Sequence, residues 1–586
     1  MSSASASSRL RMQLNREEGL KELDKTVTKY GFVSGKPYSF KDHEYQIDII
    51  RDTRSRISVR KCSQVGLSEL MVQKILAMCA TMKHTRIIFT LPTRDMAMAF
   101  SKDRFDGAID QSAFYTGLME KASNSASQKK IGSCLLYITG SFGANSAISV
   151  PAEVVISDEE DFSNEVILGK LNSRLRHASL VDEMGNRGMR MRFSTPTVED
   201  YGVDAGFQMG HQAYYMVRCD GCETFVLPDF FQDFIVPGLD RGIVELSRDD
   251  MRNPFLKFQE AWIKCPCCGK DLKNSLLDPA RRQWVAKKSD VWDHSYQVYP
   301  WDVPKYNPPA AIIKQMGDYP LKSDFYNFVV GLPYSDAENT FIVTEEMRLR
   351  MSIVEMWRYQ NTLIGSQTVA GMDLGKTCHF VVLARRGKTW DVVWAEKIRN
   401  TKDDPATPQV LARFDYYRIQ KLCIDAGPDI TLVNNLVAAR EQISAVVYVR
   451  SVSSLLPIEM KQDGDVVNAD RTKTLSLTLN KHNSGEIGYP RDEVVTREIF
   501  DHLKTTKKIR ERNADGNMTE RFVKTSDTDH WVHALNYAMI AGMCVEDLNT
   551  VEIVSAPPMV GRVRVGAKAE SVLNLERNSG NLRLVW

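Results

Sequence analysis

The sequence predicts two α/β domains in tandem, the first of them carrying a cysteine-bearing insertion. Three observations predict it. From Glu44 to about Thr197, helical stretches alternate with short β-rich runs that end in polar residues, the mark of a parallel sheet with crossover helices. From about Gln367, three strand runs joined by short turns read as an antiparallel meander, and helix–strand alternation then resumes. Between them, Tyr214 to about Tyr299 breaks the pattern and holds five cysteines. A chain of 586 residues, 43% of them hydrophobic, has material for more than one core.

Composition narrows the partners. A formal net charge of +2 announces no polyanion, so any nucleic-acid surface has to be local. No apolar run approaches a membrane span. "MSSASASSRLRMQ" lacks an apolar signal core and is expected to be a frayed arm in a cytosolic protein. There the 11 cysteines are expected to be reduced or metal-bound.

The elements follow in order. An arm (1–40) carries a helical patch near Glu17–Tyr30. The first domain (41–330) opens with a strand signal at Ile57–Val59, a Gly-bearing turn and a helix from Leu67. Strands follow at Arg86–Thr93, Ala152–Asp161 and Met189–Thr197, and the Cys-rich insertion is placed at about 214–299. Asp302–Ile313 is a Pro-rich boundary. A linker (331–366) includes the connector Gly331–Phe341 and a helix predicted over Glu345–Gln360. The second domain (367–548) has strands at Thr368–Gly375, Thr377–Leu383 and Thr389–Ile398. It continues with a helix at Pro405–Tyr417, a strand at Lys421–Gly427, a helix at Leu432–Ala439 and a strand at Ala445–Ser451. The tail (549–586) is weakly patterned.

Ligands bind at the carboxyl ends of parallel strands, and chemistry-bearing residues cluster there. "RKCSQVGLSEL" has the strand–turn–helix context of a phosphate loop. Gly66 lets backbone approach a phosphate, and Ser68 can hold Mg²⁺. The usual lysine position is Leu67, which leaves Lys61, at the front of the loop, to reach the β/γ-phosphates. "VVISDEE" ends a buried strand in Asp158, suited to Mg²⁺, and Glu159, suited to orienting the attacking water. Glu160 and Asp161 keep a plain acidic loop open as the alternative. Ser194 and Thr195 in "STPT" can sense the γ-phosphate, or form an ST-turn before proline. Tyr45 can stack on adenine while Gln46 bonds its edge. Together, in this order, these features point to an ATPase.

The pairs Cys219/Cys222 and Cys265/Cys268 form two CxxC knuckles able to share a tetrahedral Zn²⁺, with Cys267 a spare that leaves the second knuckle's ligand open. Four thiolates leave no open position, so such a metal stabilises. Further on, Asp373 lies in the first strand of the meander and Asp425 ends a later one. Asp529 and His533 are four apart, hence on one face of a late helix. A first-strand Asp, a fourth-strand carboxylate and a late Asp/His set match an RNase H-like fold that holds two divalent cations at a phosphodiester.

The loop, acidic strand, knuckles and later acids together resemble the large terminase subunit of tailed bacteriophages, of the lambda-like (GpA-type) branch, over most of 41–545. The resemblance implies an N-terminal P-loop (RecA/ASCE-like) packaging ATPase with a zinc-ribbon-like insertion, plus a C-terminal RNase H-like nuclease. It implies a displaced phosphate-loop lysine at Lys61, Mg²⁺ on Asp158, catalysis by Glu159, a coupling motif at Ser194 and Thr195, and adenine contacts from Tyr45 and Gln46. Ligands of Mg²⁺, or Mn²⁺, in the nuclease would be Asp373 and Asp425. Where the family often has Asp-Ala on the late helix, this chain has His533-Ala534, which leaves Asp527, Asp529 or His533 as the third ligand, with Asp529 preferred and His533 assisting. Implied partners are ATP, double-stranded DNA, a small terminase subunit (through the arm) and the portal of the procapsid (through the tail), in a homo-oligomeric ring in the host cytoplasm with no membrane. Arg60 and Arg104 are the candidates to act in trans. The rival readings are a helicase-nuclease, which needs a second RecA-like lobe, and a non-enzymatic zinc-stabilised scaffold for DNA or capsid.

Overall fold

The computed structural model describes residue 20 and residues 22–545, apart from short stretches at 121–123, 143–149, 244–245, 247–249, 320, 358–366, 402–404, 450–451, 453–456, 462–463, 492, 513–517 and 527. The arm before residue 20, the tail after 545 and Asp527 therefore lie outside the described residues. The chain divides into two compact units. One is built from residues up to Ser335 together with Ile509–Arg521, the other from Asp336–Lys508 and the chain from Phe522 onward. Among the described residues no helix is long and apolar enough to cross a membrane.

The first unit is a ten-stranded α/β sheet whose central strands are all parallel. In spatial order these run Ala213–Arg218, His294–Val298, Arg56–Lys61, Met189–Ser194, Val154–Asp158, Arg86–Leu91 and Cys134–Gly140. Arg56–Lys61 is central and covered on both faces, with Ile57 and Val59 buried on one and Ser58 and Arg60 on the other. It feeds the helix Leu67–Thr81, which is buried along Leu67–Cys79 except at Ser68 and Glu69. Even Lys74 of that helix is enclosed. Its ammonium donates to the carbonyls of Ile49 (2.9 Å) and Asp52 (2.6 Å), satisfying the end of the short helix Gln46–Arg51. Burial pushes this lysine down to about 8.

The cysteine stretch is shorter than 214–299. Ala213–Arg218, Arg282–Ala286 and His294–Val298 all belong to the main sheet, and His294–Val298 pairs in parallel with the central strand. Phe225–Val226 pairs back onto Ala213–Arg218, so the departure from the sheet runs from Leu227 to Arg281. Alternating strands on either side of an irregular segment look irregular themselves when partners are distant in sequence, which is why the boundary was misplaced. The helix predicted over Glu345–Gln360 ends at Met351, because Ser352 leaves helical geometry and Val354 bridges to Pro490.

The second unit has an eight-stranded mixed sheet. Its first three strands, Thr368–Asp373, Thr377–Arg386 and Thr389–Arg399, are the antiparallel meander. Lys421–Asp425 pairs in parallel with the first strand, and Ile443–Val449 with Lys421–Asp425. The long helix His530–Val545 packs on the first strand at Gly371, where an added Cβ would meet the Ala538 amide and the Ala534 carbonyl. Gly371→Ala must therefore displace that helix. It is expected to cost about 1–3 kcal/mol by overpacking, read as a lowered melting temperature.

Candidate functional site

Two constellations lie at strand ends, one in each unit. In the first unit the loop Cys62–Gly66 joins the central strand to the buried helix. Gln64 and Gly66 both have positive φ (61° and 77°), so the backbone curls into a turn whose amides can face an anion. Gly66 also packs under Gln46, whose Nε2 would lie 3.0 Å from any Cβ there. No side chain caps the helix at Gly66, leaving its first-turn amides for a ligand. Lys61 and Asp158 end neighbouring regions of the sheet, with Lys61 Nζ 3.9 Å from Asp158 Oδ1. The Ser68 hydroxyl donates to Asp158 Oδ2 at 2.8 Å. Lysine, hydroxyl and carboxylate thus converge at the mouth of the loop.

The acidic run divides its members rather than forming a solvated loop. Asp158 faces the phosphate loop. Glu159 is half-buried and adopts the left-handed conformation (φ 53°), a strained state for a side-chain-bearing residue that functional sites retain. Glu160 turns inward to Arg190 (3.0 Å) and Arg192 (3.4 Å). Asp161 is fully buried and accepts from the Val203 amide (2.7 Å) and from the Thr197 amide and hydroxyl (2.9 and 3.0 Å). Burial outweighs those bonds and pushes Asp161 up to about 8.

Several expected residues sit differently from expectation. The Tyr45 ring is 0% exposed and has no open face for a base; its hydroxyl donates to the Val65 carbonyl. Gln46 donates to the same carbonyl at 3.3 Å and accepts from Tyr38 at 2.6 Å. Both brace the phosphate loop from below. Ser194 is also buried: its hydroxyl donates to the Thr195 carbonyl (2.8 Å) and accepts the Asp161 amide (3.3 Å), which ties the strand end to the acidic run. Arg60 is buried against Asp204, Gln297 and the Phe207 ring, 4.0 Å from its centroid, so it is committed inside its own unit and cannot reach a neighbour. Arg104 is half-exposed, near Glu69 (3.6 Å) and Asp103 (3.2 Å).

In the second unit, Asp373 ends the first strand and Asp425 ends its parallel neighbour. Burial pushes the Asp425 carboxyl up, and the nearby Asp373 charge adds to it. The late-helix residues split into two pairs. His533 lies 3.3 Å from Asp529 and 3.4 Å from the Tyr448 hydroxyl. Burial raises Asp529, but the bond and charge of His533 pull it lower, to about 2. The residue that meets Asp373 is His530, at 2.8 Å from Nδ1 to Oδ2. One nitrogen of His379 joins them: ligand atoms of Asp373, His379 and His530 all lie within 4.8 Å of one another. Neither histidine was among the expected ligands. His379 sits in an apolar strand run and gave no signal by composition; its register opposite Asp373 would have exposed it.

The knuckles come together. Cys219, Cys222, Cys265 and Cys268 place their sulfurs within 4.8 Å of one another, with Cys219–Cys268 at 3.7 Å and Cys222–Cys265 at 3.8 Å. About 3.8 Å is the edge of a tetrahedron with 2.3 Å metal–sulfur bonds. Cys267 is exposed and outside the group.

Residues 40–283 match the family model described as phage terminase large subunit gpA, ATPase domain. That region is similar to the ATPase domain of phage terminase large subunits of the gpA type. No curated protein matches the chain. Among solved structures, the large terminase of bacteriophage HK97 is 10% identical over 89% of this chain and 99% of its own, with a TM-score of 0.50, a likeness of fold. The large terminase nuclease of thermophilic phage G20c is 18% identical over 33% of this chain and 95% of its own, at 0.23. A magnesium-bound form of that nuclease is 18% identical over 35% and 97%, also at 0.23. The matched family model covers an ATPase domain in this chain. The mixed sheet of its second unit, opening with an antiparallel meander, excludes the second RecA-like lobe that a helicase-nuclease requires.

Proposed function

We propose that this chain is a viral DNA-packaging motor subunit, a large terminase of the gpA type, that hydrolyses ATP at the mouth of the Cys62–Gly66 loop and cuts concatemeric double-stranded DNA at Asp373 and Asp425. The convergence of Lys61, Ser68 and Asp158 carries the first assignment. Lys61 places a positive charge on the β/γ-phosphates, and the loop amides hold the chain of phosphates from the other side. Ser68 and Asp158 would hold Mg²⁺. Glu159, fixed in its strained conformation, orients water for attack on the γ-phosphate. The Ser194–Asp161–Thr197 network joins that carboxylate's segment to the neighbouring strand end, so a shift of one moves the other.

In the nuclease, Asp373 and Asp425 would hold Mg²⁺ or Mn²⁺, with Asp529 and His533 beside them. When bound, such cations supply positive charge at the attacking and leaving oxygens of a phosphoryl centre. The upward push on Asp425, from burial and then from the Asp373 charge, supports this donor set. Arg104, rather than the buried Arg60, is the residue available to act in trans in a homo-oligomeric ring. The small subunit and the procapsid portal complete the assembly in the host cytoplasm, with the arm and the tail as their contacts; both lie outside the described residues.

Structural zinc on Cys219, Cys222, Cys265 and Cys268 stabilises the insertion. Metal analysis is expected to find about one zinc per chain. Cys219→Ser should lower the melting temperature and release that zinc, and a folded zinc-free wild type would show ordinary thiols instead. The whole reading is tested by DNA translocation into purified empty procapsids: ATP-dependent protection of DNA from added nuclease is expected, and ATP hydrolysis without protection would argue against a motor.

A further inference from the structure

Asp373 has two faces of chemistry. One looks to Asp425, whose carboxyl burial and then the Asp373 charge push up. The other looks to imidazoles. Asp373 and His379 are direct partners across the antiparallel pair, so their side chains leave the same face of the sheet. Gly371 also lies on this face, two residues earlier, and receives the helix that starts at His530. Strand, hairpin partner and helix start therefore deliver one carboxylate and two imidazoles to one point, within 4.8 Å. The His379 and His530 rings lie 4.9 Å apart and within 13° of parallel. His379 is 5% exposed, and its Nδ1 has no hydrogen-bond partner among the described residues. A buried polar nitrogen without a partner is costly unless something is to occupy it.

We propose that Asp373, His379 and His530 form a divalent first-row transition-metal site on the flank of the nuclease centre. The proposal rests on the nuclease reading for its purpose but not for its chemistry. Two imidazoles and one carboxylate make a donor set that suits transition metals, whereas Mg²⁺ prefers oxygen donors and keeps its waters. Asp373, with two oxygens, is placed to serve this ion and the Asp425 side together. The nuclease then accepts a cation with nitrogen ligands next to one held by carboxylates.

The test uses the full chain loaded with one equivalent of zinc, which the four thiolates take first, and Mn²⁺ as the probe. Electron spin-echo modulation of bound Mn²⁺ reports directly coordinated nitrogen. Two nitrogens are expected in the wild type, and one in either His379→Gln or His530→Gln. Mn²⁺ affinity should fall by more than about tenfold in each variant, since losing even an outer partner of a metal ligand costs that much. Wild-type Mn²⁺ without directly bound nitrogen overturns the proposal, and so does a nitrogen count that His379→Gln leaves unaltered. His533→Gln, which should leave both nitrogens in place, separates this site from the Asp529–His533 pair, and its loss of a coordinated nitrogen would also overturn the proposal. Failure of the nuclease reading shows separately, as DNA cutting that survives Asp425→Asn.

Discussion

Lys61→Ala is expected to lower ATP turnover by about a hundredfold or more, the loss that follows removal of one charge-stabilising donor at a transferring group. The usual phosphate-loop lysine position holds Leu67, buried at the helix start, so no second cation on the loop can substitute. Lys61 ends the central strand with its ammonium 3.9 Å from Asp158, close enough to share the space a triphosphate needs. The variant should still fold. The side chain stands at the strand's end, and its removal leaves Asp158 its bond from Ser68. Steady-state phosphate release measures the effect, with melting temperature as the control for folding. Turnover within a few-fold of wild type would sink the displaced-lysine assignment. Leu67→Lys in the Lys61→Ala background is not expected to restore turnover, because position 67 points into the core.

The strand-end acids were legible because an apolar run that stops at a carboxylate can be read without knowing its neighbours. Asp158, Asp373 and Asp425 are of this kind, and the cysteine pairs declare themselves by spacing. What depended on distant partners was not legible. Glu160 and Asp161 looked like a solvated acidic loop, but Arg190, Arg192, Thr197 and Val203 enclose them, and none of these is near in sequence. Tyr45 was read as a stacking residue since nothing local reveals that Val65 takes its hydroxyl and the core takes its ring. Arg60 looked available because its partner Asp204 lies 144 residues away. His530 was passed over for His533 because helical spacing from Asp529 favoured the latter. That spacing is real, but it builds the Asp529–His533 pair, while Asp373 is met by the residue that opens the helix.

The two active centres share no ligand, so each can be silenced alone. Asp373→Asn removes one negative charge from the pair of carboxylates that would hold the nuclease cations. Hard cations are bound through such charge, and Asn offers only a neutral oxygen. Metal-dependent DNA cutting is expected to fall by about a hundredfold or more, on the scale of losing one charge-stabilising group. ATP turnover is expected to persist, since Lys61, Ser68 and Asp158 are untouched. The substitution also leaves His530 at most a neutral amide oxygen in place of its 2.8 Å carboxylate partner, so a small change in melting temperature is expected with it. Glu159→Gln reverses the pattern. The amide keeps the size of the side chain and, with it, the left-handed turn, so nucleotide still binds. It cannot accept a proton from water, and hydrolysis and packaging should stop while cutting continues. The four measurements, cutting and ATP turnover in each variant, are made on the full chain at matched metal concentration. Cutting that continues in Asp373→Asn would mean that the phosphodiester is attacked elsewhere. Loss of both activities in both variants would mean that the chemistry is not divided between the two units.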